Sequence, residues 1–341
     1  MRKVICFFVI LAMAVPLAFA GGGGDIGADS GIKNKIVIYT SMYQEVIDSV
    51  SKTLAKEFPR YKIELVYAGT GRIKHMIESE QAFGRLECDI LMIAEPSYSL
   101  ELKKKGLLHQ FKYKEAARLA FDYDTEGYWY PVRIDNMVLA YNPEKNAKNT
   151  IPNSFYDFAH DTKVRNGISM RNPNISGTSM ATLSALYDKY GSSFFESLGR
   201  QGMHMEYGSD GALAKLESGE YKVIMVLEET ILQKRQKEGS KLEIIYPTDG
   251  TVMIPSTIMI INNKWSANRN ARIAEEITEW FLSEKGQNAI VDGWMHSVRA
   301  DFKRIPYGSI PTEDIRAGSI PVNWENNERE RIIILDLLER R

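Results

Sequence analysis

KIVIYTSMYQEVIDSVSKTLAKEFPRYKIELVYAGTGR, residues 35 to 72, holds two strand-like runs separated by one helix-like run. Ile36, Val37, Ile38 and Tyr39 form a short uninterrupted apolar run, the pattern of a strand buried on both faces. From Tyr43 to Phe58, the apolar residues Val46, Val50, Leu54 and Phe58 recur every four positions, which sets them along one side of a helix. Ile63 to Tyr67 reads as a second strand, and Gly69-Thr70-Gly71 opens a second helix. Strand, helix, strand, helix in that order predicts an α/β fold with a parallel sheet covered by helices.

The pattern continues outward from this stretch. Ile90 to Ile93 is a third strand, followed by a helix from near Ser97 to Gly106. Residues 110 to 130 are aromatic, charged and irregular, and we read them as a crossing to a second lobe before the strand Met137 to Tyr141. A second series follows: Gly167 to Met170 into a helix from Gly177 to Tyr190, His204 to Glu206 into one from Asp210 to Ser218, and Val223 to Val226 into one from Glu228 to Glu238. Ile258 to Ile261 returns the chain to the first lobe, which helices Ala267 to Leu282 and Glu284 to Val291 complete. The expected organisation is a signal peptide at 1–20, a flexible segment at 21–34, one lobe from 35–137 with 262–341, and a second lobe at 138–261.

The N-terminus carries its own signal. Arg2 and Lys3 precede an apolar run from Val4 to Val15, Pro16 breaks it, and Ala18-Phe19-Ala20 has the small-x-small form of a cleavage site. We read a secretory signal cut after Ala20, because the apolar run is short for a membrane span. Cys6 lies inside that run, where a lipid-acceptor cysteine would not sit. Losing Arg2 and Lys3 from 43 basic residues leaves 41 against 44 acidic ones, so no basic field for nucleic acid exists. Only Cys88 then remains, which excludes an internal disulfide and a cysteine-based metal site.

In open parallel sheets, ligands sit at the carboxyl ends of strands, where loops open into helix N-termini. Three such loops are built of glycine and hydroxyl residues: Thr40-Ser41, Gly69-Thr70-Gly71 and Ser176-Gly177-Thr178-Ser179. Each offers free backbone N–H groups and a hydroxyl donor, which suits a phosphate, phosphonate or carboxylate. Any one of them could simply cap a helix. Their recurrence in both halves points to an anion held from two sides. Arg133 could pair bidentately with that anion or form a salt bridge with Asp135. Asp210, Glu228 and Glu229 open helices and could accept hydrogen bonds from hydroxyls, and Trp129 could stack on a ring. Glu95, Glu228 and Glu229 are the oxygen donors a hard cation would require.

At these residues the chain resembles the substrate-binding proteins of ABC importers, in the branch that includes ferric-ion, hexose-phosphate and aminoethylphosphonate binders. The resemblance runs from about Ile36 to Phe302, through Ile38-Tyr39-Thr40-Ser41, Ala68-Gly69-Thr70-Gly71, Cys88-Asp89-Ile90-Leu91, Ser176-Gly177-Thr178 and Tyr246-Pro247-Thr248-Asp249-Gly250-Thr251. It implies a two-lobed type II periplasmic-binding fold, export to the periplasm, and delivery of solute to a permease driven by a separate ATPase. Ferric binders of this branch usually carry adjacent tyrosines after the strand that here ends at Val226, where this chain has Leu227-Glu228-Glu229-Thr230. A phosphorylated sugar or phosphonate is therefore the expected solute, with ferric ion the alternative and a sensory binding module a third reading. A monomer without cofactor is expected.

Catalysis finds no support in the sequence. There is no Gly-x-Ser-x-Gly elbow, no His-Glu-x-x-His and no Walker loop, and the histidines at 75, 109, 160, 204 and 296 are scattered.

Overall fold

The computed structural model describes residues 34–325 and 327–339. The expected signal peptide, and all but the last residue of the flexible segment, lie outside the described residues. The first half contains strands β1 (Lys35–Thr40), β2 (Lys62–Tyr67), β3 (Ile90–Ile93) and β4 (Trp129–Tyr141), with helices α1 (Gln44–Glu57), α2 (Thr70–Ala82) and α3 (Pro96–Lys104) between them. The second half holds β5 (Ile168–Arg171), β6 (His204–Glu206), β7 (Val223–Leu227), β8 (Glu243–Ile245) and β9 (Val252–Ile260). Its helices are α4 (Phe155–His160), α5 (Gly177–Tyr190), α6 (Ser192–Arg200), α7 (Ser209–Ser218) and α8 (Glu228–Glu238). Four more close the chain: α9 (Ala271–Leu282), α10 (Glu284–Asp292), α11 (Thr312–Ala317) and α12 (Asn327–Glu339).

The strands join in one sheet of order β2-β1-β3-β9-β4-β7-β5-β6, with β8 alongside β4. Pairing is parallel at β1/β2, β1/β3, β5/β6 and β5/β7, as the strand-helix alternation requires. The long strands β4 and β9 run antiparallel to each other and to their neighbours, and they stitch the two halves together. Residues 110 to 130, read from their irregularity as the crossing, instead pack Tyr113, Leu119 and Tyr130 into the first core cluster, and the strand that goes on to the second half is β4.

Burial follows the two-layer logic. On β1, Ile36 and Ile38 face the cluster that contains Val46, Val50 and Leu54 of α1 and Ile277 and Phe281 of α9. Val37 and Tyr39 face the opposite cluster, with Ile73, Ile77 and Leu102 of α2 and α3. In the second half, Leu139 packs with Phe158, Leu183, Leu186 and Leu198, while Ala140 meets Leu213, Leu216 and Ile231 on the other face. Each of the larger apolar side chains contributes about 1.5–3 kcal/mol by leaving water. Helix α12 packs on α5 and α6, with Ile334 and Leu338 buried.

One irregularity aims a buried arginine. Pro131 has no N–H for the β4–β9 ladder, and the register shifts between Pro131 and Arg133. Such a bulge resets which face the following residues occupy. Arg133 and Asp135, two positions apart, then lie on the same face.

Candidate functional site

The carboxyl ends of β1, β2 and β3 confront those of β5 and β7 across a narrow seam. A Cβ built on Gly71 would stand 2.5 Å from the Asn174 carbonyl oxygen, and one on Gly177 would stand 2.9 Å from the Ala94 carbonyl. These two glycines allow main chain from one half to touch main chain from the other.

Beneath the seam lies an inner cavity of about 20 Å³, walled by Ser41, Tyr43, Thr70, Arg133, Asp135, Arg171, Ser176, Thr178 and Glu229. Two larger chambers share wall residues with it. One of about 510 Å³ is lined by Tyr43, Tyr67, Arg72, Arg171, Tyr207 and Asp210. The other, about 380 Å³, is lined by Tyr43, Asp210, Glu217, Glu229, Lys234 and Glu238. Tyr43 borders all three.

Arg133 is buried at 3% exposure. Its Nη1 donates to Asp135 Oδ1 and to Met295 Sδ, and its Nη2 donates to Ser41 Oγ at 3.2 Å. Asp135 Oδ2 accepts from Ser256 Oγ at 2.6 Å. The expected salt bridge is therefore real, and Arg133 also lines the cavity, with an Nε–H that has no partner. Arg171 ends β5 and lies 6.0 Å from the centre of the Tyr43 ring, and its Nε–H is equally unpartnered. Burial alone would lower its pKa, but the Tyr43 and Tyr67 hydroxyls beside it outweigh that and raise it. Burial raises the Tyr43 phenol, against the pull of Arg171.

The cradle loops have divided roles. Ser176 Oγ accepts from the Ser179 amide at 3.2 Å and caps α5, while Thr178 Oγ1 lies 3.1 Å from Ser176 Oγ. Ser41, Thr70, Arg133, Ser176, Gly177, Thr178 and Glu229 meet at the inner cavity, and Asp210 lines both chambers. Gly71 stands at the seam. Thr40 is fully buried, and its Oγ1 accepts from the Met42 amide at 3.1 Å. Trp129 packs beside the cluster of α2 and α3.

The three glutamates part company. Glu95 is buried and bound to Lys74 Nζ at 2.5 Å and Ser97 Oγ at 3.2 Å. Glu228 faces away from the cavity: Oε2 accepts from Asn136 Nδ2 at 2.7 Å and meets His296 Nε2 at 3.0 Å, while Oε1 accepts from Tyr246 and Ser309. Burial would raise its pKa, but His296, Asn136 and Ser309 hold it below the ordinary value. Glu229 does the reverse. Its Oε1 has no partner, and burial first, then Asp135, push its carboxyl well above the ordinary range, with Arg133 opposing. Among the described residues, no three His, Cys, Asp or Glu side chains converge in a metal-binding group, so Glu95, Glu228 and Glu229 do not form the hard-cation set considered from the sequence.

Arg171 was not singled out from the sequence. The available signal was its place at the carboxyl end of the strand that opens into Ser176-Gly177-Thr178.

The family model described as bacterial extracellular solute-binding protein matches residues 88–309. The chain belongs to this family. The solute-binding protein resembles solved structures along nearly all of its length. Iron-bound HitA from Pseudomonas aeruginosa is 19% identical, with a TM-score of 0.76 over 90% of this chain and 98% of that one. AfuA from Actinobacillus pleuropneumoniae, with exogenous fructose-6-phosphate bound, is 18% identical, with a TM-score of 0.75 over 90% and 97%. The ferric binding protein from Campylobacter jejuni is 16% identical, with a TM-score of 0.71 over 89% and 98%. No curated protein matches the sequence. At these identities the likeness shows the fold, the two-lobed type II periplasmic-binding architecture expected from the sequence, in a family of substrate-binding transport proteins.

Proposed function

We propose that this solute-binding protein works in the periplasm, captures a small organic anion of the sugar-phosphate or phosphonate class between lobes 35–137 with 262–341 and 138–261, and delivers it to an ABC permease with its ATPase. One observation carries the reading: Arg133 and Arg171 line one inner cavity with the hydroxyls of Ser41, Thr70 and Thr178, and each keeps an unpartnered buried Nε–H. A buried donor without an acceptor costs about 1–3 kcal/mol. Two such cationic donors beside hydroxyl and amide donors are satisfied together by a multivalent oxyanion. Asp210, on the walls of both chambers, is available to accept from hydroxyl or amine groups on the rest of the solute.

Calorimetric titration with fructose 6-phosphate and with 2-aminoethylphosphonate tests the proposal, alongside native mass spectrometry of the purified protein for retained solute. Stoichiometric binding of either compound without turnover is the expected outcome. Failure of both, together with a strong visible phenolate band on adding ferric ion, would transfer the assignment to iron.

A further inference from the structure

Two guanidinium and two carboxyl groups share the inner cavity: Arg133, Arg171, Asp135 and Glu229. Asp135 has one oxygen engaged by Arg133 and one by Ser256, and its carboxyl also stands within hydrogen-bonding reach of the Glu229 side chain. Glu229 is only 3% exposed, its Oε1 has no partner, and it forms part of the wall of both the inner cavity and the chamber beside α7 and α8. Were Glu229 ionised, the cavity's charges would cancel, and a buried carboxylate oxygen without a donor would confront the solute. With its proton in place, the cavity keeps a net positive charge and Glu229 gains an O–H to donate.

We infer that Glu229 is a specificity determinant of the cleft: it enters the closed site as the neutral acid, and an anionic solute is held only while that proton is present. The inference rests on the anion reading above. The groups around Glu229 support it. Arg133 and Asp135 face it from β4, Tyr43 from the turn before α1, Arg171 from the end of β5, and Asp210 and Glu217 from α7. On its own helix, Lys234 is drawn to Glu238 at 2.6 Å and to Glu217 at 3.6 Å. Burial and then the nearby Asp135 hold the Glu229 carboxyl well above the usual range, against Arg133. Among the described residues no histidine lines the inner cavity or the two chambers, so a titration of affinity just above the ordinary carboxylate range that goes beyond the solute's own phosphate ionisation reports on Glu229.

Two measurements test the inference. Infrared difference spectra of the unliganded protein, wild type minus Glu229→Gln, should contain a protonated-carboxyl band at neutral pH that fades as pH rises. A missing band at neutral pH overturns the inference whatever the solute. Calorimetric titration of fructose 6-phosphate between about pH 6 and about pH 9 should show wild-type affinity falling by up to about tenfold per pH unit once the carboxyl ionises. Glu229→Gln, whose amide keeps a donor and cannot ionise, should show only the dependence that comes from the phosphate's own ionisation. Parallel profiles in the two proteins overturn the inference. A wild type that binds neither fructose 6-phosphate nor 2-aminoethylphosphonate at any pH refutes the anion reading instead, and removes the link between proton and solute with it.

Discussion

Glu228 and Glu229 are neighbours in the first turn of α8, both almost fully buried, and their surroundings drive them in opposite directions. Glu228 gathers Asn136 from β4, Tyr246 from the loop after β8, and His296 and Ser309 from beyond α10 into one hydrogen-bonded knot. Glu229, rotated by about 100° on the helix, faces a cavity and keeps an unpartnered oxygen. The same residue type serves cohesion in one position and, on the proposed reading, recognition in the next, and what separates the two is how many donors each carboxyl finds. A carboxyl with both oxygens engaged is a structural element, whereas a buried acid short of partners is the mark of a site completed by something else.

That contrast can be broken by experiment, and the largest effect belongs to the knot. Glu228→Ala removes the carboxyl that Asn136, Tyr246 and Ser309 donate to and one of the partners of His296, and should cost about 3–5 kcal/mol of stability in denaturant unfolding. A loss below about 1 kcal/mol would mean that the knot holds little. Because the folded pKa of Glu228 lies below its ordinary value, its contribution is present above the ordinary carboxylate range and is lost as pH falls through the folded pKa. Acid unfolding of wild type should accordingly be steeper than that of the variant.

On the recognition side, Arg171→Leu removes a cation that the proposed function assigns to the solute and should weaken fructose 6-phosphate binding by about 1.5–3 kcal/mol, roughly tenfold to a hundredfold by calorimetry. Thr178→Ala should lie toward the lower end of that range. Ser176→Ala, which loses the cap on α5, should lower the melting free energy by about 1 kcal/mol while leaving affinity nearly unchanged. Equal affinity losses in Thr178→Ala and Ser176→Ala would show that the loop acts as one unit and would blur the distinction between cap and cradle.

A pH-dependent effect sharpens the comparison from the other side. Glu229 has a folded pKa raised above its unfolded one, so its contribution to stability is fully present below the unfolded pKa and is lost as pH rises. Glu229→Gln should therefore melt higher than wild type at neutral pH, by a margin that widens as pH increases. A margin independent of pH would mean that the carboxyl does not titrate in that window.

Much of the fold was legible because it depends on local periodicity. Ile36 and Ile38 against Val37 and Tyr39, and the four-residue spacing from Val46 to Leu54, are repeats that a reader can match to a buried strand and to one face of a helix. The glycine- and hydroxyl-rich loops were legible as helix entrances for a similar reason, since such residues favour turns and helix caps. Arg171 was not, because an arginine at a strand end looks like any surface cation until the opposing strands are known. Glu228 and Glu229 were indistinguishable in sequence for the same reason, as only packing from residues 68 and 94 positions away, His296 and Asp135, tells them apart. The docking of α12 on α5 and α6, elements assigned to the other lobe, likewise depends on tertiary fit, and helical spacing within α12 says nothing about which surface it covers.

The meeting of the two halves at Gly71 and Gly177 has a consequence for how labour is divided in the molecule. Where the halves touch at Asn174 and Ala94, the contact is with main-chain oxygen, and main chain carries no information about which solute lies beneath. On the proposed reading, that part of the contact is the same for every occupant. On the same reading, the choice of solute falls to the side chains of the interior, Arg133, Arg171, the hydroxyls and Glu229.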